Sequence, residues 1–140
     1  MTNNTNTKIV LILRIIAAGI LFQTLFFKFT GAPESKFIFS TLGIEPWGRW
    51  FSAFAEMLAS IFLLVPSTQV VGALMAFGIM LGAVASHLLI LGIVIQDDGG
   101  LLFTLAIVVS VCSIAVLLLR KSEISLLIKR SKSLIQFNKR

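Results

Sequence analysis

The stretch VVGALMAFGIMLGAVASHLLILGIVI, residues 70–95, contains a single titratable side chain, His87. A helix that crosses a hydrocarbon core of about 30 Å needs about 20 apolar residues. A strand of a membrane barrel would instead alternate apolar and polar residues, whereas this stretch is continuously apolar. The stretch therefore predicts a membrane-spanning α-helix.

Three more apolar stretches accompany it, at about residues 9–29, 47–65 and 100–119. The chain has 140 residues, of which 57% are hydrophobic and 13% are charged, and its mean hydropathy is +1.00. Such a composition excludes a soluble domain. The first stretch is also too long for the apolar part of a cleaved signal peptide. The sequence predicts an all-α, four-helix transmembrane domain at residues 1–119, followed by a basic cytoplasmic tail at 120–140.

Charged residues are distributed unequally between the two ends of the predicted bundle. Basic residues precede the first helix and follow the fourth, and Arg14 lies close enough to the chain start to anchor helix one at the membrane surface. Acidic residues fall in the connections at the opposite end: Glu34, Glu45, Asp97 and Asp98. The positive-inside rule then predicts that both termini face the cytoplasm. The net charge of +6 is thus a topology signal and implies no nucleic-acid partner.

The first connection is long enough to contain structure of its own. Its segment PESKFIFSTLG, residues 33–43, begins with a proline and ends with a glycine, which favour the start and the end of a helix. We expect a short helix there, lying at the outer interface of the membrane or dipping into the bundle. Trp47 and Trp50 follow, as expected of interfacial anchors.

Four polar residues inside the apolar stretches are predicted to lie in one layer, in the outer half of the membrane: Gln23, Lys28, Glu56 and His87. At 1.5 Å per residue, Glu56 and His87 lie ~10 Å and ~12 Å below the outer ends of their helices. Gln23 lies at a similar depth, and Lys28 lies at the mouth. Such residues usually face the interior of a bundle and find partners there.

Helix two carries Arg49, Ser52 or Ala53, Glu56 and Ser60 at three- and four-residue spacing, which predicts an inward-facing polar stripe. Two interpretations follow. In the first, Glu56 and His87 belong to a shallow outward-opening pocket, roofed by the first connection, that passes a proton or binds a small polar headgroup. In the second, Glu56 pairs with Arg49 or His87 only to hold the helices in register.

The residue types in the chain limit the chemistry that it can carry out. One histidine and one glutamate provide too few ligands for a metal site. The single cysteine, Cys112, excludes an internal disulfide or a Cys-x-x-Cys pair. No dinucleotide fingerprint or nucleophile–base pair indicates an autonomous enzyme. Redox chemistry would therefore need a bound cofactor or a partner.

Two further patterns concern packing and the tail. Gly78, Gly82 and Ser86 repeat every four residues, and a row of small residues of this kind permits close helix contact. Ile124, Leu127, Ile128 and Ile135 lie near one helical face among basic residues, so the tail is either a helix on the inner leaflet or a frayed basic segment.

The chain resembles the DoxX family of small bacterial membrane proteins in four features: KFTGAPES at 28–35, FSTLGIEPWGR at 39–49, the helix that carries Glu56, and residues 72–103, which end in DDGGLLF. The resemblance covers residues 9 to about 120. It implies a four-helix bundle in the bacterial cytoplasmic membrane, with both ends inside.

The resemblance also implies a function. It suggests an accessory subunit linked to quinone or redox chemistry, with membrane lipids and a membrane-complex protein as partners. The alternative is a non-enzymatic assembly factor or a small permeation or lipid-binding protein. The family pattern provides no catalytic set, but it draws attention to residues here: Lys28, Glu45, Trp47, Arg49, Glu56 and His87.

Overall fold

The computed structural model describes residues 2–137 and the side chains of residues 4–135. Residues 138–140, which include Lys139 and Arg140 of the basic tail, lie outside the described part. Every regular element within it is helical. The elements are α1 (Thr2–Thr30), α2 (Pro33–Thr41), α3 (Trp47–Leu64), α4 (Gln69–Ser86) with a π-helical turn (His87–Leu91), α5 (Leu101–Leu119) and α6 (Lys121–Phe137).

Three helices in the described part are long and apolar enough to cross a membrane: Asn4–Thr30, Gln69–Leu91 and Leu101–Leu119. The chain is therefore an all-α protein with three candidate membrane spans. Helix α3 is not among these three. It has 18 residues, but it carries Arg49 and Glu56, and these two charges lower its mean hydropathy.

Helices α1, α3, α4 and α5 pack in a ring around one apolar core. Helix α3 contacts α1 and α4, and α5 contacts α4 and α1 from the opposite side of the ring. Small and branched side chains fill the centre, among them Ala17, Leu21, Ala59, Leu63 and Val109. Many large apolar side chains remain exposed on the outside, as a membrane protein requires.

Helices α3 and α4 approach most closely at Gly72. A Cβ atom built on Gly72 would lie 2.6 Å from the backbone carbonyl carbon of Phe62, so only glycine fits there without movement of the backbone. A Cβ on Gly78 or Gly82 would meet nothing within 4 Å. Among the described residues, no helix approaches α4 at those two glycines, which lie on an exposed side of α4.

The α-helical geometry of α4 ends at Ser86, and a π-helical turn continues it to Leu91. Gly92 then adopts a φ of 81°, a conformation that favours glycine, and the helix stops. The predicted span to residue 95 is therefore shorter in the structure. Helix α2 begins at Pro33, as its sequence predicts, and Gly43 follows it with a φ of 73°.

Candidate functional site

Four charged side chains meet where α1 ends and α3 begins, and we call them the four-charge cluster: Lys28, Glu45, Arg49 and Glu56. Lys28 Nζ donates to Glu56 Oε1 in an ion pair. Arg49 Nε donates to the two carboxylate oxygens of Glu45 at 2.8 and 3.1 Å. Arg49 Nη1 also donates to the backbone carbonyl of Lys28, which joins the two ion pairs. The cluster contains two bases and two acids and is neutral as a whole.

Burial makes this pairing necessary. The side chain of Glu56 is 2% exposed and that of Arg49 is 7% exposed. A buried charge without a partner is strongly destabilising, because it loses water and gains nothing in return. Since each charge of the cluster contacts an opposite charge, the cluster ties the end of α1 to the first turns of α3.

The inward-facing stripe of α3 explains how its two charges reach the cluster. Arg49, Ala53, Glu56 and Ser60 are all buried, as their spacing predicts. Arg49 and Glu56 are separated by about two helical turns and therefore share one face. The hydroxyl of Ser60 donates to the backbone carbonyl of Glu56 at 2.7 Å, which satisfies that hydroxyl within the bundle.

Gln23, predicted for the same layer, is exposed on α1 and does not join the cluster. Thr24 occupies that place. Its hydroxyl lies 2.9 Å from Glu56 Oε2 and 2.8 Å from the carbonyl of Leu21, and it donates its single proton to one of them at a time. Lys28 is one helical turn after Thr24, whereas Gln23 is one residue earlier and points away from that face.

His87 is buried at the start of the π-helical turn, and no hydrogen bond between described residues joins it to Glu56. Its Nδ1 lies 2.8 Å from the carbonyl oxygen of Gly92. A carbonyl only accepts, so Nδ1 carries the proton. The ring also packs edge to face against Phe103, with the centroids 5.6 Å apart. His87 therefore closes the end of α4, and the structure does not place it in a hydrogen-bonded pair with Glu56.

Asp98 organises the loop that follows. Its Oδ1 accepts hydrogen bonds from the backbone amides of Ile95 and Gly100, and its Oδ2 accepts one from the amide of Leu102 in the first turn of α5. Partial burial raises the pKa of Asp98, but the three backbone hydrogen bonds and the nearby His87 outweigh that effect and hold it below its ordinary value. Asp98 thus acts as a charged cap for α5.

An open cleft of about 550 Å³ lies beside the four-charge cluster. Trp47 and Phe51 line it and are 75% and 77% exposed. Trp47 also contacts the exposed Trp50 edge to face, with ring centroids 5.9 Å apart. Glu45 belongs to both the cleft and the cluster. The full lining is Gly43, Ile44, Glu45, Trp47, Gly48 and Phe51.

A second polar group occupies the other end of α3. The Arg14 side chain is buried there: its Nη2 donates to the carbonyl of Leu64 at 2.6 Å and its Nε to the carbonyl of Leu63. Its Nη1 donates to Gln69 Oε1 at 3.1 Å. Arg14 therefore caps the carbonyl end of α3. The sequence predicts this residue only as a surface anchor, although the short α3–α4 turn left those carbonyls in need of donors.

The same network reaches α6. Gln69 Nε2 donates to both carboxylate oxygens of Glu123, at 3.2 and 3.0 Å. Arg120 Nη1 donates to the same carboxylate at 3.2 Å. We call Arg14, Gln69, Arg120 and Glu123 the Arg14 cluster. It connects α1, α3, α4 and the first turn of α6.

In the described part of the chain, no group of three or more histidine, cysteine, aspartate or glutamate side chains could hold a metal ion. The chain matches no family model, no curated protein and no solved structure. Its function must therefore be argued from its own residues, and the four-charge cluster with the adjoining cleft is the strongest candidate site.

Proposed function

We propose that this chain is a DoxX-like subunit of the bacterial cytoplasmic membrane, with four spanning helices and both termini inside. The 18 residues of α3 would span about 27 Å, close to the thickness of the hydrocarbon core. Both charges of α3 have partners in the four-charge cluster, so this helix can cross the membrane without exposing a charge to lipid. In this orientation α2 lies at the outer interface and α6 is cytoplasmic.

We further propose that the subunit is accessory to a quinone-linked redox complex and binds the quinone ring in the cleft. One observation carries this proposal: Glu45 lies in an aromatic cleft and at the same time pairs with the buried Arg49. A quinone ring is flat and apolar and has two carbonyl oxygens that accept hydrogen bonds. The aromatic side chains of Trp47 and Phe51 and the indole N–H group of Trp47 match that chemistry.

In quinone reduction, this chain would carry out only part of the reaction. Reduction of a quinone to a quinol takes up two electrons and two protons. The carboxylate of Glu45 is 20% exposed, so it can exchange protons between water and a ring in the cleft. The electrons come from a redox protein of the same complex. This subunit then contributes binding and proton access.

Quinone binding by the purified chain tests the proposal. The only two tryptophans, Trp47 and Trp50, lie at the cleft, so their fluorescence should be quenched saturably by a short-chain benzoquinone. We expect Phe51→Ala to weaken binding about tenfold, a loss of about 1.4 kcal/mol. Phe22→Ala, on the exposed surface of α1, should leave binding unchanged. Quenching that never saturates, or that Phe51→Ala does not alter, would contradict the proposal.

A non-enzymatic assembly or lipid-binding function is the second candidate. Glu56 favours it, because its side chain is 2% exposed and both carboxylate oxygens have partners. A group enclosed in this way is suited to holding α1 against α3. In this case the double variant Lys28→Met with Glu56→Leu keeps the fold and the cellular function of the protein.

The two candidates give opposite results in the assembled complex. If the subunit serves quinone chemistry, Glu45→Gln lowers quinone-dependent turnover, and Glu34→Gln, outside the cleft lining, does not. If the subunit only supports assembly, Glu45→Gln leaves turnover per assembled complex unchanged. The amount of complex, measured separately, distinguishes loss of assembly from loss of turnover.

A further inference from the structure

Helix α6 has an apolar face that the rest of the described chain leaves uncovered. The helix presents two adjacent pairs seven residues apart on one side, Leu127 with Ile128 and Leu134 with Ile135, and these side chains are 43–66% exposed. The first turn holds α6 to the bundle through Glu123, which accepts hydrogen bonds from Gln69 and Arg120. The remaining turns extend beyond that attachment.

The charges beside this face are nearly all positive. Helix α6 carries the bases Lys121, Lys129, Arg130 and Lys132 and a single acid, Glu123. That acid is already bound to Gln69 and Arg120, so it does not neutralise the bases further along the helix. A covering surface must therefore be apolar in its interior and negatively charged at its edge.

The position of α6 identifies such a surface. Helix α5 is a candidate membrane span that ends at Leu119, and α6 begins after a single intervening residue, Arg120. The first turn of α6 is therefore close to the level at which the chain leaves the membrane. Acyl chains and anionic headgroups meet at that level. A second copy of α6 would instead bring its own four bases against these four.

We propose that α6 docks lengthwise on an anionic phospholipid surface. Its leucine and isoleucine face enters the boundary between headgroups and acyl chains, and the bases that flank this face, Lys121, Arg130 and Lys132, contact the phosphates. A shallow groove of about 280 Å³ between α6 and the α3–α4 turn, lined in part by Ser67, Leu127 and Arg130, provides room for a headgroup beside the helix. This inference does not depend on the quinone proposal, since it concerns the opposite end of α3.

Two serines on α6 provide a matched pair of labelling positions. Ser131 lies within the apolar face, four residues after Leu127 and three before Leu134. Ser133 is exposed on the opposite side of the same turn. Each can be changed to cysteine in a Cys112→Ala background and labelled with an environment-sensitive fluorophore in the full-length protein.

The labelled protein is reconstituted in vesicles of phosphatidylcholine alone or of phosphatidylcholine with phosphatidylglycerol. With anionic lipid, we expect the label at 131 to shift to shorter wavelength and to be quenched by nitroxide lipids. The label at 133 should stay in water. Each base near an anionic surface changes the ratio of docked to free α6 by about fivefold, so neutralising Arg130 and Lys132, which flank the apolar face, with glutamine should lower it about 25-fold.

Other outcomes would overturn the proposal. Equal water exposure at 131 and 133 in both lipid mixtures would show that lipid does not cover α6. A buried label at 131 that does not respond to anionic lipid, together with disulfide formation on oxidation of the unlabelled Ser131→Cys protein, would identify a second copy as the occupant. Unchanged thermal unfolding of the labelled variants controls for damage to the bundle.

Discussion

Charged side chains are buried at both ends of α3, but they are stabilised in different ways. At its start, the four-charge cluster buries two bases with two acids. At its end, Arg14 is buried against the carbonyl oxygens of Leu63 and Leu64 and the amide of Gln69. Unpaired carbonyls give a helix C-terminus a partial negative charge, so a cation can be placed there without a carboxylate in contact.

This difference distinguishes a candidate binding site, at the start of α3, from a structural contact, at its end. Carboxylates can take up or release protons, and one carboxylate of the four-charge cluster, Glu45, opens into a cleft. The carbonyls bound by Arg14 do not titrate, and no surface cleft is needed for their role. The proposed quinone chemistry therefore belongs to the start of α3, whereas the Arg14 cap at its end attaches α1 to α3.

Breaking the four-charge cluster should have the largest effect on stability. Glu56→Leu leaves Lys28 without its counter-charge, and removal of one partner of a buried pair costs about 3–5 kcal/mol. Adding Lys28→Met should recover most of that loss, since neither charge then remains. The free energy of unfolding in mixed micelles, followed by tryptophan fluorescence, measures both. Additive losses in the double variant would contradict the pairing.

Breaking the Arg14 cluster should lower the free energy of unfolding by less. Within the described part of the chain, Arg14 contacts no carboxylate, so its removal leaves no buried charge without a partner. Arg14→Met removes the donors to two buried carbonyls, and we expect a loss of about 2–3 kcal/mol in the same unfolding measurement. Arg14→Lys should recover only part of it, because an ammonium cannot reproduce the planar, divergent donors of a guanidinium. Full recovery by lysine would refute this account of the cap.

A substitution that pushes α4 away from α3 tests the helix packing near the Arg14 end of α3. Gly72→Ala forces the new methyl group against the backbone of Phe62 and Leu63, and overpacking of this kind costs about 1–3 kcal/mol. The control is Gly78→Ala on the same helix, where a Cβ meets open space. We expect that control to unfold at or slightly above the wild-type denaturant concentration. Equal losses in the two variants would argue against close contact at Gly72.

The smallest effect concerns Asp98, in the α4–α5 loop. Its folded pKa is lowered, so its contribution to stability is complete above its unfolded pKa and is lost as pH falls through the folded pKa. At neutral pH, Asp98→Asn should cost about 1 kcal/mol, because the amide group cannot accept from the backbone of Leu102 in place of Oδ2. The difference between the two proteins should begin to narrow below about pH 4 and disappear only when the pH is below the lowered folded pKa of Asp98.

The neighbouring residue provides the control for that measurement. Asp97 is exposed, and no backbone hydrogen bond of the α4–α5 loop ends on its side chain among the described residues. Asp97→Asn should therefore leave thermal unfolding unchanged at neutral pH. An equal loss in the two variants would show that loop charge, and not the cap of α5, stabilises this region.

Depth within the bundle could be predicted from the sequence better than direction around each helix. The layer of Lys28 and Glu56 follows from counting residues along helices of known rise, and these two side chains do meet. Gln23 lies at a matching depth but on another side of α1, where Thr24 takes its place in the cluster. A continuously apolar helix gives little periodic signal, so its rotation is weakly specified by sequence alone.

Glycine spacing shows the same limit. Gly78 and Gly82 form a regular small-residue row, yet the close approach of α3 uses Gly72. A repeat shows where a helix could be approached, whereas the position of the neighbouring helix decides whether it is. The link between Arg14 and α3 follows the same limit: the short turn after α3 indicates carbonyls in need of donors, but not which side chain reaches them.

The sequence by itself determined that this protein is all-helical and has helices able to cross a membrane, because apolar length is a local property of the chain. It also determined which residues carry charge into the bundle. Only the tertiary structure decided that Thr24 faces Glu56, that Gly72 lets α4 contact α3 and that Arg14 caps α3. These contacts join residues far apart in the chain, and they depend on how each helix is rotated against its neighbours.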